Sequence, residues 1–223
     1  MHSELLKRVP LFEELSEGEL EALSQVALLR TFPKDRVVIM AEEEGDSLFV
    51  IHDGQVKVSI VSEDGREVIL SILGEGNFFG EMSLLDGHPR SANVTTTQAT
   101  ELLMVRRADF LRFIQKSPQT AIKLLSVLAS RLRITDRKIE GLALSDVTGR
   151  ISQTLLQLAD EQGVATQEGV LIRDRPTHQD LANMSGTTRE TVSRILKRLE
   201  NQGYIVPRGR DLLIVGTDLK NQG

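Results

Sequence analysis

Residues 176–199 read PTHQDLANMSGTTRETVSRILKRL, and this stretch decides the fold of the C-terminal end of the chain. It contains two pairs with the spacing of a capping box, in which side chains bond the unpaired N–H groups of a helix start: Thr177 with Asp180, and Thr187 with Glu190. Gly186 lies between the two expected helices, where a tight turn favours a residue that adopts positive φ. Two short helices joined by such a turn predict a helix-turn-helix.

The second helix of this motif has two chemically different faces. Apolar residues recur at i, i+3, i+4 and i+7 and predict the face that packs on a core: Val192, Ile195, Leu196 and Leu199. The outward positions are Arg189, Glu190, Ser193, Arg194 and Lys197. Arginine can clamp the O6/N7 edge of guanine, and a carboxylate can accept from cytosine N4. A solvated charged face is the alternative, but the capped helix before it favours a helix that reads DNA.

A β-hairpin is predicted directly after this helix. Two apolar segments, 203–206 and 212–215, flank a basic sequence, Pro207-Arg208-Gly209-Arg210-Asp211. Such a hairpin is a wing whose tip contacts phosphates. The candidate DNA-binding residues of the helix-turn-helix and wing are Thr187, Thr188, Arg189, Glu190, Ser193, Arg194, Lys197 and Arg208.

The stretch 117–144 is predicted to be one long helix, because it has no proline after Pro118. Its seam alternates steps of four and three residues, as in a coiled coil: Ala121, Leu125, Leu128, Leu132, Thr135, Ile139 and Leu142. Such a helix is roughly 40 Å long, so we expect a two-stranded dimer seam; a core helix packed on the N-terminal domain is the alternative. Asp146 has the chemistry of an N-cap for the next helix, which places a domain boundary near Ser145.

The N-terminal half has a different pattern of apolar and turn-forming residues. Residues up to about Ala27 are predicted to form short helices. Short β-branched runs follow, separated by glycines and acidic turns: 37–39, 48–51, 56–60 and 68–70. Many short strands at such spacing are typical of an antiparallel barrel or roll.

The segment 78–92 carries the chemistry of an anion site. It combines Gly80-Glu81, a short apolar helical turn, and then Arg90-Ser91. Backbone N–H groups at a helix start and a nearby arginine attract a phosphate, and Glu81 would accept from a ribose hydroxyl. A surface turn in which Glu81 and Arg90 form an ion pair is the alternative that these residues leave open.

The composition excludes several kinds of site. There is no cysteine, which excludes disulfides, zinc thiolate sites and cysteine-ligated iron–sulfur clusters. The four histidines lack the spacing of a metal site, so no metal is expected. No apolar run approaches the roughly 18 residues of a membrane span, and without a visible secretory signal we expect a cytoplasmic location. The net charge of −5 argues weakly against nucleic-acid binding, but DNA responds to a local basic patch.

Together these motifs resemble the cyclic AMP receptor (catabolite activator) branch of the CRP/FNR family of transcription regulators, over essentially the whole chain. Residues 80–92 are similar to the phosphate-binding cassette of that family. Residues 146–151 resemble the hinge and the start of its DNA-binding domain, and residues 189–194 resemble its recognition helix. The absence of cysteine speaks against the oxygen-sensing iron–sulfur branch.

The resemblance implies roles for the matching residues. Those that would bind the ligand are Gly80, Glu81, Met82, Arg90, Ser91, Thr135 and Asp136. Arg90 and Ser91 would hold the cyclic phosphate, and Gly80 and Glu81 the ribose side. Thr135 would reach the purine at the dimer interface, which gives a reason for the one polar position in the seam. A TGTGA-like half-site would be read by Arg189, Glu190 and Arg194.

The sequence therefore predicts an α+β fold with three parts. A cyclic-nucleotide-binding, jelly-roll-like β-roll would occupy residues 1–116, a long coiled-coil dimerisation helix and hinge 117–145, and a winged helix-turn-helix 146–223. The predicted protein is a homodimeric regulator that binds palindromic promoter sites in double-stranded DNA. Its expected effector is cyclic AMP, and RNA polymerase is a further expected partner.

Two departures from the best-known family member keep other effectors open. The cassette is one residue shorter, and Asp136 stands where that member has a serine. Cyclic di-GMP, another effector or constitutive activity are therefore alternatives, as is an interaction module whose winged helix binds protein. An enzyme is not expected, because the sequence shows no metal cluster, no Ser–His–Asp candidate and no Walker-type loop.

Overall fold

The computed structural model describes residues 6–7, 9–13 and 15–216. The chain divides into two compact units, Met1–Ile134 and Thr135–Gly223, which we call the N-terminal and C-terminal units. In the described part of the chain, no helix combines the length and the apolar character that crossing a bilayer requires.

The N-terminal unit is built on two antiparallel sheets of four strands each. The strands are β1 (Leu28–Phe32), β2 (Val37–Ile39), β3 (Ser47–Asp53), β4 (Gln55–Val61), β5 (Glu67–Gly74), β6 (Phe78–Phe79), β7 (Asn93–Thr96) and β8 (Thr100–Arg106). The sheet orders are β1-β8-β3-β6 and β2-β7-β4-β5. The antiparallel roll expected from the spacing of short strands is confirmed.

Strand β3 separates two apolar cores. Its residues alternate between them, as strand geometry requires: Phe49 and Ile51 join the core between the two sheets, while Leu48 and Val50 join a core beneath the helices. Because both faces of β3 are covered, its sequence is a continuous apolar run rather than an alternating one. The strand therefore fixes the roll to the helices around it.

The helices of this unit are α1 (Glu17–Val26), α2 (Glu81–Asp86), α3 (Arg107–Lys116) and the first part of α4 (Pro118–Leu144). Ser16 and Glu19 form a capping box at the start of α1. Helix α3, which the sequence analysis did not predict, buries Phe110 completely. The short helices predicted before Glu17 lie partly outside the described residues.

Helix α4 matches the predicted long helix and has two apolar faces. Leu124 is buried, and Leu128 packs against the core beneath the helices, so one face belongs to the roll. Four seam residues on the other face are more than three-fifths exposed: Leu125, Leu132, Ile139 and Leu142. Leu128, a residue of the predicted seam, packs on the roll, so the core-helix alternative holds for this part of the helix. The dimer seam stays a prediction for the exposed seam residues.

Within the described residues, the C-terminal unit contains the end of α4, three further helices and a four-stranded sheet. Its elements after α4 are α5 (Val147–Gln162), β9 (Gly163–Thr166), β10 (Gly169–Ile172), α6 (His178–Ser185), α7 (Arg189–Asn201), β11 (Ile205–Arg208) and β12 (Asp211–Val215). The sheet order is β11-β12-β10-β9. Asp146 caps α5 by accepting from the Gly149 N–H at 2.8 Å, as predicted. The predicted wing is the hairpin β11–β12, whereas the hairpin β9–β10 was not foreseen.

One predicted cap is wrong. Helix α6 begins with the expected capping box of Thr177 and Asp180, but α7 is capped by Thr188, whose Oγ1 accepts from the Thr191 N–H at 3.3 Å. Thr187 does not form a capping box with Glu190, because its N–H closes the preceding turn on the Ala182 carbonyl at 3.1 Å. Gly186 adopts φ 61° in that turn, as expected.

Replacing a core residue of α5 tests the packing of the C-terminal unit. Ile151 is fully buried, and we expect Ile151→Ala to lower the free energy of unfolding by about 2–5 kcal/mol. Leu156 on the same helix is 43% exposed, so Leu156→Ala should cost less than about 1 kcal/mol. The chain has one tyrosine, Tyr204, and no tryptophan, so tyrosine fluorescence during urea unfolding reports on this unit. Equal losses for the two variants would contradict the assigned core.

Candidate functional site

The predicted anion site lies where β6 passes into α2. Gly80 joins the two elements with φ 84°, a left-handed conformation that favours glycine. A Cβ at Gly80 would lie 2.7 Å from Nη1 of Arg90, and one at Gly45 only 2.0 Å from Nε of the same side chain. The absence of both side chains therefore makes room for the Arg90 guanidinium.

Arg90 is a buried cation held by neutral acceptors. The residue is 7% exposed. Its Nη1 donates to the Gly80 carbonyl at 2.7 Å and to the Ser83 hydroxyl at 2.9 Å, and its Nη2 donates to the Ser47 carbonyl at 2.7 Å. Burial lowers the pKa of Arg90, while the charges of Asp46 and Glu81 raise it. The guanidinium thus keeps its positive charge in a low-dielectric setting, where an anion would be attracted strongly.

The carboxylate of Glu81 is paired with a residue that the sequence analysis missed. Glu81 is 3% exposed, and its Oε1 accepts from Nη1 of Arg131 on α4 at 2.8 Å. The Arg131 guanidinium also lies over the Phe78 ring, 4.8 Å from its centroid, and donates to the Phe78 carbonyl. The alternative in which Glu81 forms an ion pair with Arg90 is therefore not what the structure shows.

A signal for Arg131 was present in the sequence. It precedes Thr135 by four residues, and positions i and i+4 share one face of a helix. A basic side chain one turn from a predicted ligand residue was a candidate for the same site.

The remaining predicted ligand residues fall into two groups. Met82 is 50% exposed, and Ser91 is exposed with its hydroxyl 3.6 Å from the Met82 sulfur. The structure thus brings Gly80–Glu81–Met82 and Arg90–Ser91 together at the start of α2, with Glu81 and Arg90 buried and Met82 and Ser91 exposed. Thr135 and Asp136 are exposed on α4 in the C-terminal unit, and their role in binding the ligand stays a prediction.

The predicted division of α7 into two faces is confirmed. Val192, Ile195 and Leu196 are buried, and Leu199 is half-buried. The charged residues face outward and are exposed: Arg189, Glu190, Arg194 and Lys197. Ser193 is half-buried between the faces, with its hydroxyl donating to the Arg189 carbonyl at 3.0 Å.

Arg150, on α5, holds the turn of the helix-turn-helix. Its Nε donates to the Ser185 carbonyl at 2.9 Å and its Nη1 to the Ser145 carbonyl at 3.1 Å. The Thr154 hydroxyl lies 3.0 Å from that of Ser185. These contacts fix the end of α6 against α5 and so determine where α7 starts. The role of Arg150 was not predictable from its motif, because the Ser185 carbonyl lies 35 residues away along the chain.

Both arginines of the wing are exposed and have acidic neighbours. Arg208 pairs with Glu168 at 2.5 Å, and Arg210 pairs with Asp174 at 2.6 Å. An exposed ion pair of this kind contributes little to stability, so a phosphate can replace the carboxylate at small cost. The predicted basic tip is therefore present, though its charge is partly balanced.

Two family models match the chain, one over the segment with the anion site and one over the segment with the helix-turn-helix. Residues 29–117 match the family model of the cyclic nucleotide-binding domain. Residues 149–220 match the model of the Crp-like helix-turn-helix domain. The first segment contains the cassette, and the second contains the helix-turn-helix and wing.

Relatives match the chain almost from end to end. The cAMP-activated global transcriptional regulator CRP of Salmonella typhimurium is 39% identical over 191 residues, which cover 85% of this chain and 90% of that protein. The CRP-like cAMP-activated global transcriptional regulator of Mycobacterium tuberculosis is 35% identical over 213 residues, covering 95% and 94%.

Solved structures show the same architecture. The c-di-GMP responsive global regulator CLP of Xanthomonas campestris superposes with a TM-score of 0.75 at 29% identity, covering 91% of this chain and 100% of that one. The catabolite activator protein of Thermus thermophilus is 33% identical with a TM-score of 0.55, covering 92% and 93%. Since both domain models match and relatives extend over most of its length, the chain belongs to the CRP/FNR family of cyclic-nucleotide-responsive transcription regulators.

Proposed function

We propose that this regulator is a homodimer that binds cyclic AMP at the cassette and, in response, binds palindromic double-stranded DNA. The observation that carries the proposal is the buried guanidinium of Arg90, which is surrounded by neutral acceptors and retains its charge for the cyclic phosphate. The proposed ligand residues are Gly80, Glu81, Met82, Arg90, Ser91, Thr135 and Asp136.

The choice of cyclic AMP rests on the relatives. Those that are 35–39% identical over most of the chain are named as cAMP-activated regulators. The CLP structure, named as responsive to c-di-GMP, is similar at 29% identity and makes cyclic di-GMP the second candidate. Asp136 adds a carboxylate next to Thr135, which the family resemblance assigns to the purine. This carboxylate can attract or repel a purine amino group, which weakens the case for cyclic AMP itself. Calorimetric titration with cyclic AMP, cyclic GMP and cyclic di-GMP decides between them; no binding below millimolar concentration by any of these would refute a cyclic-nucleotide sensor.

The DNA interface is proposed on the outward face of α7 and the wing. Its residues are Thr187, Thr188, Arg189, Glu190, Ser193, Arg194, Lys197 and Arg208. A helix-turn-helix dimer contacts two half-sites about one turn of DNA apart. The ligand needs only a difference in affinity between two states of the dimer to act as the switch. The same proposal includes RNA polymerase as a partner, a cytoplasmic location and the absence of an enzymatic step.

Two variants of the cassette test the phosphate site. Arg90→Leu should abolish the response to the effector, but it also leaves the Gly80 and Ser47 carbonyls without their donor, so its folding must be checked by circular dichroism. Ser91 is exposed, and among the described residues its hydroxyl bonds the Met82 sulfur at 3.6 Å, so Ser91→Ala should leave stability unchanged. Losing one charged hydrogen bond of about 1.5–3 kcal/mol should weaken cyclic AMP binding by about 10- to 150-fold. Unchanged affinity in both variants, measured by calorimetry, would contradict the assignment.

A charge in the exposed seam of α4 tests the dimer. Leu132 is 62% exposed, and a glutamate there would be buried without a partner in a two-stranded seam. We expect Leu132→Glu to raise the dimer dissociation constant more than about tenfold, measured by analytical ultracentrifugation. Ser130, exposed on the same helix outside the seam, provides the control Ser130→Glu, which should remain dimeric. A Leu132→Glu protein as dimeric as the control would place the interface elsewhere.

Removing one arginine of α7 distinguishes base reading from phosphate contact. Arg194 is exposed on the outward face, and Arg194→Leu should cost on the order of 1–3 kcal/mol of discrimination between the specific and an altered half-site. Gel shifts on both duplexes measure this difference. Arg112→Leu, which removes an exposed arginine of the N-terminal unit paired with Asp109, should change neither affinity. Equal weakening by Arg194→Leu on all sequences would show that Arg194 contacts phosphate instead.

A further inference from the structure

A cleft of about 630 Å³ lies between the starts of α6 and α7 and the tip of the wing. Three arginines and one histidine line it: Arg175, Arg189, Arg210 and His178. Of these, only Arg189 was among the predicted DNA-binding residues. Arg210 belongs to the predicted basic tip of the wing, and the cleft adds Arg175 and His178 to the proposed DNA interface.

The charges in this cleft are only partly balanced. Arg210 pairs with Asp174 at 2.6 Å. Arg175 is different, because its Nε is buried without a hydrogen-bond partner in the described part of the chain, and its Nη1 has a long contact of 3.4 Å to the Pro176 carbonyl. An arginine with an unused buried donor is suited to an anion.

The hydrogen bonds of His178 define which of its ring nitrogens gains or loses a proton. Its Nδ1 lies 2.7 Å from the Ser193 hydroxyl, which donates its single proton to the Arg189 carbonyl at 3.0 Å. With the Ser193 proton assigned to the Arg189 carbonyl, Nδ1 of His178 is the donor to the Ser193 hydroxyl. This bond is the same in the neutral and the charged ring, so a change of charge at His178 occurs at Nε2.

Four cationic side chains lie around His178, and two of them, Arg210 and Lys197, are paired with carboxylates. Arg175 comes from the preceding loop, Arg210 from the wing, and Arg189 and Lys197 from α7. The carboxylates nearby have partners of their own: Asp180 bonds Thr177, and Glu200 bonds Lys197. Burial lowers the pKa of His178, and the charges of Arg175 and Arg189 lower it further. The ring is thus held in its neutral form at neutral pH.

We propose that His178 is a proton-linked contact to the DNA backbone: a phosphodiester bound in this cleft drives the uptake of one proton from solvent at Nε2. The negative charge of the phosphate balances the positive charges of Arg175 and Arg189. It therefore removes the repulsion that keeps the His178 ring neutral. Protonated Nε2 then donates a charge-assisted hydrogen bond to a phosphate oxygen. The inference rests on the proposed DNA binding and adds its dependence on pH.

The sign of the effect follows from linkage. The pKa of His178 lies below its ordinary value in the free protein and rises when the phosphate is bound. Between these two values the complex holds more protons than the free protein, so affinity for DNA falls as pH rises. The proton-linked gain is complete below the pKa of the free protein and is lost as pH passes the pKa of the complex.

Fluorescence anisotropy with a labelled duplex carrying inverted TGTGA half-sites tests the proposal. The full chain is used with saturating cyclic AMP, or with cyclic di-GMP if only that nucleotide promotes binding. The wild-type protein should bind about three- to tenfold more tightly near pH 6 than near pH 8. His178→Gln should bind weakly with no such dependence, and His178→Arg tightly at both pH values. His52, in the roll beside Glu101, supplies the control His52→Gln, which should keep the wild-type dependence.

Salt provides a second, independent readout. Protonation adds one phosphate contact, so the slope of log K against log salt should be steeper by about 0.9 near pH 6 than near pH 8 in the wild type. In His178→Gln the two slopes should agree. The Cε1–H signal of His178 in NMR titrations of the wild type should report a higher pKa with DNA than without it, which needs no variant to fold.

The outcomes separate this inference from the function it rests on. Three results would each overturn the proton-linked contact. The first is a wild-type affinity for DNA that does not depend on pH, and the second is an affinity of His178→Gln that depends on pH as in the wild type. The third is a pKa of His178 that does not change when DNA binds. Failure to bind the duplex at every pH with either nucleotide would overturn the proposed binding of this DNA instead.

Discussion

The N-terminal site depends on a buried positive charge that its immediate neighbours do not neutralise. Arg90 donates to two backbone carbonyls and a hydroxyl, which join β3, the turn at Gly80 and the helix α2 around one guanidinium. Neutral acceptors satisfy the donors and hold the side chain in place, yet leave the charge itself for an anion. This arrangement requires two positions without a Cβ, Gly45 and Gly80, because the guanidinium passes within van der Waals distance of both backbones.

A second arginine binds the nearby carboxylate of Glu81, so this carboxylate does not form an ion pair with Arg90. Glu81 is bonded to Arg131 of α4 rather than to Arg90, so the two arginines of the site have different partners. Because Arg131 also lies over Phe78, the ion pair attaches the long helix to the cassette at a partly buried position where salt screens it little. The proposed ligand would therefore act at a point where the roll and the long helix are already connected.

In the C-terminal unit, an arginine also donates to backbone carbonyls, and here it positions a helix rather than an anion site. Arg150 donates to carbonyls of Ser145 and Ser185 and thereby sets the turn before α7. His178 and Ser193 join α6 to α7 through a hydrogen bond at the edge of the basic cleft. In both units, a buried or partly buried arginine positions the backbone through carbonyl and hydroxyl partners.

Local sequence determined the elements that depend on neighbouring residues. The cap at Thr177, the turn at Gly186, the long helix and the apolar face of α7 all follow from spacing within a few residues, because helix caps and periodicity are local properties. Tertiary structure alone decided the partners that are distant along the chain: Arg131 for Glu81, and Ser47 for Arg90. The hairpin β9–β10 and helix α3 likewise became visible only in the fold. Such pairings depend on which surfaces pack together, and no periodicity in one segment encodes which distant atoms its side chains will meet.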